Sequence, residues 1–185
     1  MNNMKRRGLF LSLLLAPLIG RARRQESKTI SMPEGAITIT SKMVPPVPQE
    51  FVPLQAEKLQ QIAELERTAM DFLSAYNQYA APSLEAYDAA FRRWQLDRAS
   101  LFSVDDVVAR LGAYLGCLLV KDLEMEWVQV TDAYGTDLAV RARKYEVISF
   151  PFSSVMKRIQ NEQYDFMAGV YYAVQDMIAS GPMKR

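Results

Sequence analysis

The chain has 185 residues, half of them hydrophobic, with 22 Lys/Arg, 21 Asp/Glu and a formal net charge of +1. That length and apolar content suffice to bury a core and suit one domain with appendages. There is no His and one cysteine, Cys117, which removes the commonest transition-metal ligands, the usual general base for a Ser or Cys nucleophile, and any intramolecular disulfide.

Charge is unevenly placed. Residues 1–28 hold seven Lys/Arg against Glu26 alone, leaving 15 Lys/Arg and 20 Asp/Glu, a net of −5, on the other 157 residues. Nucleic-acid binding draws most of its affinity from Lys/Arg on phosphates, so an acidic body argues against that partner.

The start, "MNNMKRRGLFLSLLLAPLIGRARRQESK", sets a basic run (Lys5, Arg6, Arg7) before a twelve-residue apolar run, Leu9 to Gly20. As a helix this run spans roughly 18 Å, short of the roughly 30 Å hydrocarbon core, and reads as a signal-peptide h-region rather than a spanning segment. A periplasmic or secreted location is the expectation. Small residues at Gly20 and Ala22 offer a cleavage site, but Arg21, Arg23 and Arg24 beyond it resist translocation, so cleavage and retention as a membrane anchor both stay open. An ordinary basic n-region is favoured over a twin-arginine signal, and no cysteine is near enough for a lipid anchor.

Residues 29–50 read as a Pro-rich tether, disordered or holding one strand. "VPPVP" at Val44 to Pro48 favours an extended polyproline-like spacer, and "AITIT" at Ala36 to Thr40 alternates as a strand would. From Val52 the pattern turns helical, with Leu59, Ile62, Leu65, Ala69, Phe72 or Leu73, and Tyr76 at helical spacing to about Tyr79. Ser83 then caps a second helix to about Ala99, with Leu84, Tyr87, Phe91 and Trp94 as its stripe. "SVDD" at Ser103 to Asp106 is a capping-box variant that opens a third helix to about Lys121.

"WVQVTDAYGTDLAV", Trp127 to Val140, breaks the helical pattern. Trp127 to Thr131 alternates, Asp132 to Gly135 turns, and Leu138 to Arg143 returns, which together predict a β-hairpin. Tyr145 to Phe150 is a third strand, closed by Pro151. Ser153 or Ser154 caps a short helix to about Asn161, and a last helix runs from Tyr164 to Ser180, stopped by Gly181-Pro182. The expectation is α+β, about five helices packed on a small three-stranded antiparallel meander, with residues 51–181 as a single domain.

From about Val104 to Ile178, "LGAYLGCLLV", "EWVQVTDAYGTDLAV" and "FPFSSVMKRI" resemble the bacterial family catalogued as domain of unknown function 3806. In that family a glycine-containing helix leads into a Trp-led hairpin with a D-x-x-G turn, then a Pro-Phe segment and a short basic helix. Gly112, Gly116, Trp127, Asp132, Gly135, Pro151 and Phe152 carry the resemblance. It implies a fold unit and no chemistry.

The structural candidates are Gly112, Gly116, Trp127, Gly135, Pro151 and Phe152. Gly112 and Gly116 make a G-x-x-x-G face that lets the sheet or the last helix come close, with an oligomer seam as the alternative. Cys117, among apolar residues, reads as a buried small hydrophobe rather than a reactive thiol. Glu124 and Glu126 share a face if extended and could form a carboxylate pair, though solvated charges at a helix-to-strand junction explain them more simply. Asp132 and Asp137 bracket the turn and could ligate a hard cation, against Asx-turn bonding as the plainer account of Asp132. No residue is assigned as catalytic or metal-binding, and no cofactor is expected.

Arg141, Arg143 and Lys144 follow the return strand and Lys157 and Arg158 enter the next helix, a basic cluster on an acidic body. With Asp132, Tyr134 and Asp137 they are the expected partner-binding residues, against the alternative that they blunt an edge strand. The favoured function is an exported or envelope-associated, non-catalytic binding or adaptor domain, inhibitor or immunity proteins being one form of it. It would contact a protein partner through the hairpin face, its N-terminal segment touching or entering the membrane. The alternatives are a hydrolase using Glu124, Glu126 or Asp132, with or without a divalent cation, and a homo-oligomer joined through aromatic-rich helices.

Overall fold

A computed structural model describes residues 25–32, 35–42, 48–145 and 147–181. The signal-like segment up to residue 24 and residues 44–47 of the proline run lie outside them. In chain order the elements are β1 (Gln25–Met32), β2 (Gly35–Lys42), β3 (Glu50–Pro53), α1 (Ala56–Asn77), α2 (Leu84–Leu96), α3 (Val104–Leu123), β4 (Glu126–Asp132), β5 (Gly135–Ala142), β6 (Val147–Ser149), α4 (Pro151–Gln160) and α5 (Met167–Ser180). A 3-10 turn, Arg143–Tyr145, precedes β6. The fold is α+β.

The main sheet has four strands in the order β3-β4-β5-β6, all antiparallel, rather than three. The extra strand is Glu50–Pro53, where the sequence pattern reads as tether running into helix. Its four residues are too few to show alternation, and Pro53 is tolerated because β3 is an edge strand. The tether also departs from expectation, since β1 and β2 pair from Gln25 opposite Lys42 to Met32 opposite Gly35. Ala36 to Thr40 therefore lies in a separate hairpin, against α5, and does not extend the main sheet.

Local sequence explains most helix boundaries. Ser83 accepts the Ala86 amide at 3.1 Å, and Ser103 and Asp106 form the reciprocal capping box at the start of α3. Helix α4 starts at Pro151 rather than at a Ser153 or Ser154 cap, because proline at the first helical position gives up an amide that has no partner there anyway. The freed Ser153 hydroxyl donates instead to Asp137 Oδ2 at 2.5 Å. Helix α5 starts at Met167, later than Tyr164, where its amides find a distant acceptor described below.

The core lies where α1, α2, α3 and α5 meet the inner sheet face. Phe72, Tyr87, Phe91, Leu111 and Leu115 are fully buried, and Trp127, Val140, Ala142 and Val147 contribute from the strands. Each such aliphatic or aromatic side chain contributes roughly 1.5–3 kcal/mol of burial. Gly112 and Gly116 set the close approach of α3 to the sheet: the Trp127 indole and Pro151 occupy the notch at Gly116, and Phe152 that at Gly112. On the outer sheet face Val128, Val130 and Ala139 form a small second cluster with Phe51, Ile148 and Phe150 around it. Among the described residues no helix is long and apolar enough to cross a membrane.

Candidate functional site

The turn between β4 and β5 is tight, with Asp132 opposite Gly135. Asp132 Oδ1 accepts the Tyr134 amide at 2.8 Å, an Asx-turn, and Gly135 takes the positive φ of +133° that closes it. Tyr134 is exposed at the tip. Asp132 Oδ2 also accepts from Gln49 Nε2 at 3.3 Å.

The opposite end of the hairpin is where charged residues gather. Helix α3 ends on Glu124 in the left-handed conformation, φ 53° and ψ 36°, which turns the chain directly into β4 at Glu126. Register then sets Glu126 opposite Arg141. A surface cleft of about 510 Å³ opens here, lined by Asp122, Leu123, Glu124, Glu126, Arg141, Ala142, Arg143, Lys144 and Ile178. Three carboxylates and three cations thus line one open depression, contributed by the end of α3, the facing ends of β4 and β5 and the 3-10 turn, with Ile178 of α5 beside them.

Their pairing is uneven. Arg143 Nε donates to Glu126 Oε1 in an ion pair. Arg141 instead lies over the Phe51 ring, 4.0 Å from its centroid, and its Nε is buried without a hydrogen-bond partner among the described residues. Asp122 accepts from the Tyr171 hydroxyl at 3.4 Å, and burial with the nearby Asp122 charge pushes that phenol's pKa above its usual value.

Of the expected residues, the structure unites Arg141, Arg143 and Lys144 with the carboxylates Glu124 and Glu126. Asp132 and Tyr134 sit at the other end, six residues along β4 and so roughly 20 Å away. Asp137 is near that end, bound to Ser153 and lining a smaller cavity of about 270 Å³ with Lys58, Ile62, Leu65, Leu138 and Phe152. On α4, Lys157 is exposed and Arg158 rests 6.0 Å over the Phe166 ring. Asp132 is therefore not in one site with Glu124 and Glu126. Asp122 and Ile178 join the cleft without a signal in the sequence, since only the folded topology brings them there. Among the described residues no group of three His, Cys, Asp or Glu is placed to hold a metal ion.

Cys117 is half-buried beside Trp127 and Glu66, and burial pushes its thiol pKa up to about 12. The thiolate is the reactive form, so native protein is expected to resist iodoacetamide at mildly alkaline pH and to react fully once unfolded in guanidinium. Rapid labelling of native protein would show that α3 opens.

Residues 93–171 match the family model described as domain of unknown function (DUF3806). The DUF3806 segment runs from the end of α2 into α5 and contains both glycine notches, the Trp-led hairpin and every cleft residue except Ile178. Phe51, the ring under Arg141, also lies outside it. None of the curated proteins compared with the chain matches it significantly. The fold is similar to a crystal structure from Bacteroides thetaiotaomicron VPI-5482 at 1.50 Å resolution, with a TM-score of 0.54 over 82% of this chain and 69% of that one, at 13% sequence identity.

Proposed function

We propose that this protein is a non-catalytic binding module of the bacterial cell envelope that engages a protein partner through the mixed-charge cleft at the open end of β4 and β5. One observation carries the reading. The cleft interleaves Asp122, Glu124 and Glu126 with Arg141, Arg143 and Lys144, and its lining includes no hydroxyl or thiol side chain. Charges of both signs in a wide depression suit electrostatic matching to another polypeptide, which fixes partner choice and orientation. Of the cleft carboxylates, Glu126 is held by Arg143, which takes it out of acid–base work. The signal-like start supports an envelope location. An inhibitor or immunity-type role is one form that such binding takes.

The test is capture of the full-length protein, tagged after Arg185, from separated cytosolic, membrane and periplasmic fractions of its host. One stoichiometric envelope partner is expected, with Arg143→Glu weakening capture about tenfold because it places a like charge beside Glu126 and Glu124. Capture of no partner, or only of cytosolic protein, overturns the reading.

A further inference from the structure

The smaller cavity, of about 270 Å³, lies toward the turn end of the hairpin, apart from the mixed-charge cleft, and three elements wall it. Helix α1 gives Lys58, Gln61, Ile62 and Leu65, whose i, i+3, i+4, i+7 spacing puts them on one face, while β5 gives Asp137 and Leu138 and the start of α4 gives Phe152. The apolar four of these are buried in the main core or packed against it, so the floor is apolar and backed by side chains. Asp137 ties two walls together: its Oδ2 accepts from the Ser153 hydroxyl of α4 at 2.5 Å, and its Oδ1 from the Leu138 amide at 2.8 Å.

The two charges of the cavity are uncompensated. Both donors to half-buried Asp137 are neutral, and they use only part of a carboxylate's capacity of about four hydrogen bonds. Lys58 is exposed at the rim and donates to the Gln61 side chain at 3.2 Å, which is also neutral. Neither Lys58 nor Asp137 forms an ion pair among the described residues. A carboxylate drawn partly out of water beside apolar groups is costly without a counter-charge, and a cation brought by a ligand supplies one.

We infer that this cavity binds a free apolar α-amino acid as its zwitterion, with the ammonium at Asp137, the carboxylate at Lys58 and the side chain on the apolar floor. Size and charge select this class. The volume is below the roughly 300–1,000 Å³ of sites for drug-sized ligands. A fatty acid or other monoanion would leave Asp137 without a cation, a simple amine would leave Lys58 without an anion, and a sugar would leave the floor without apolar partners. The inference uses no residue of the mixed-charge cleft and stands apart from the binding-module reading.

The experiment is saturation-transfer difference NMR of the full-length protein, titrated with L-leucine, L-alanine, N-acetyl-L-leucine and L-leucinamide. Leucine is expected to bind saturably, its methyl protons receiving more saturation than its α-proton. Alanine is expected to bind at least about tenfold more weakly, because it leaves most of the floor uncovered. N-acetylleucine keeps only the carboxylate and leucinamide only the ammonium, as the last and first residues of a peptide do, and each is expected to lose about tenfold. Lys58→Gln alters an exposed side chain, so the fold is not at stake, and should lower leucine to the level of leucinamide. Asp137→Asn keeps an oxygen for Ser153 and should lower leucine to the level of N-acetylleucine. Absence of saturable leucine binding, alanine, N-acetylleucine or leucinamide binding as tightly as leucine, or leucine binding unchanged in either variant each overturns the inference.

Discussion

Gly116→Ala is expected to destabilise the protein by about 2 kcal/mol, the net of two opposed effects. Alanine in place of glycine in a helix interior stabilises by about 1 kcal/mol, and overpacking a full core costs about 3 kcal/mol. At Gly116 the added Cβ would overlap the six-membered ring of Trp127 and stand 3.1 Å from Pro151 Cγ. The indole cannot step aside cheaply, because it leans on the Phe152 ring at 5.7 Å between centroids. Phe152 is pinned in turn: a Cβ at Gly112 would lie 2.9 Å from its Cα, which is backbone. The two glycines and two aromatic rings therefore interlock, and relief must come from moving β4 or the start of α4 as a whole. Urea unfolding of Gly116→Ala, Trp127→Leu and the double variant checks this. The double variant should be more stable than the sum of the single losses predicts, by about 1–2 kcal/mol, since the smaller side chain vacates the notch. A Gly116→Ala protein stabilised by its helix propensity alone would show that the notch is loose.

That interlock was half legible in the sequence. The spacing of Gly112 and Gly116 on one helix face announces a close approach, and the Trp127 hairpin is a strong local signal. Which surface fills the notches depends on how α3 folds back on the sheet, and the answer, Trp127 with the Pro151-Phe152 corner, joins two segments that read as separate features. Features built within a few residues were fully readable: the Ser103–Asp106 capping box, the Ser83 cap and the Asp132 Asx-turn each need one turn of chain. Strand β3 was not, because four residues ending in proline carry too little alternation to outweigh the helical pattern that starts beside them. The cleft was legible only in pieces. Glu124 and Glu126 stand out as a pair and Arg141, Arg143 and Lys144 as a cluster, but it is the antiparallel register, Glu126 opposite Arg141, that brings them to one place. Asp122 and Ile178 reach it from helix ends that look like ordinary solvated turns.

The least legible element has the largest expected effect. Asp88 lies on α2 and is buried, and it accepts the amides of Phe166 at 3.1 Å, Met167 at 2.9 Å and Ala168 at 3.2 Å, donors 78 to 80 residues away. It is thus a helix cap supplied across the fold, satisfying the otherwise orphaned first amides of α5. Asp88→Ala is expected to cost about 3 kcal/mol, because it leaves these donors without an acceptor, two of them in buried hydrogen bonds. Asp88→Asn is expected to cost about half as much, since one oxygen can keep Phe166 and Met167 while the amide NH₂ opposes Ala168. The pH dependence of the difference is the sharper test. Burial raises the Asp88 pKa above 3.8, against the lowering effect of the three amides, and Asp165 nearby adds to the rise. Between 3.8 and the raised native value the folded state holds more protons than the unfolded one, so this group's contribution to stability is largest at low pH and falls as pH rises. Asn does not titrate. The advantage of wild type over Asp88→Asn, measured by urea unfolding from about pH 4 to about pH 7, should therefore shrink as pH rises. An advantage that grows instead would mean that the amides and the N-terminal dipole of α5 outweigh desolvation and hold Asp88 as a carboxylate. Either way the consequence reaches the cleft, because the helix that Asp88 starts at Met167 is the one whose Ile178 lines it. A protein that loses this cap should lose the cleft's α5 wall before it loses the hairpin.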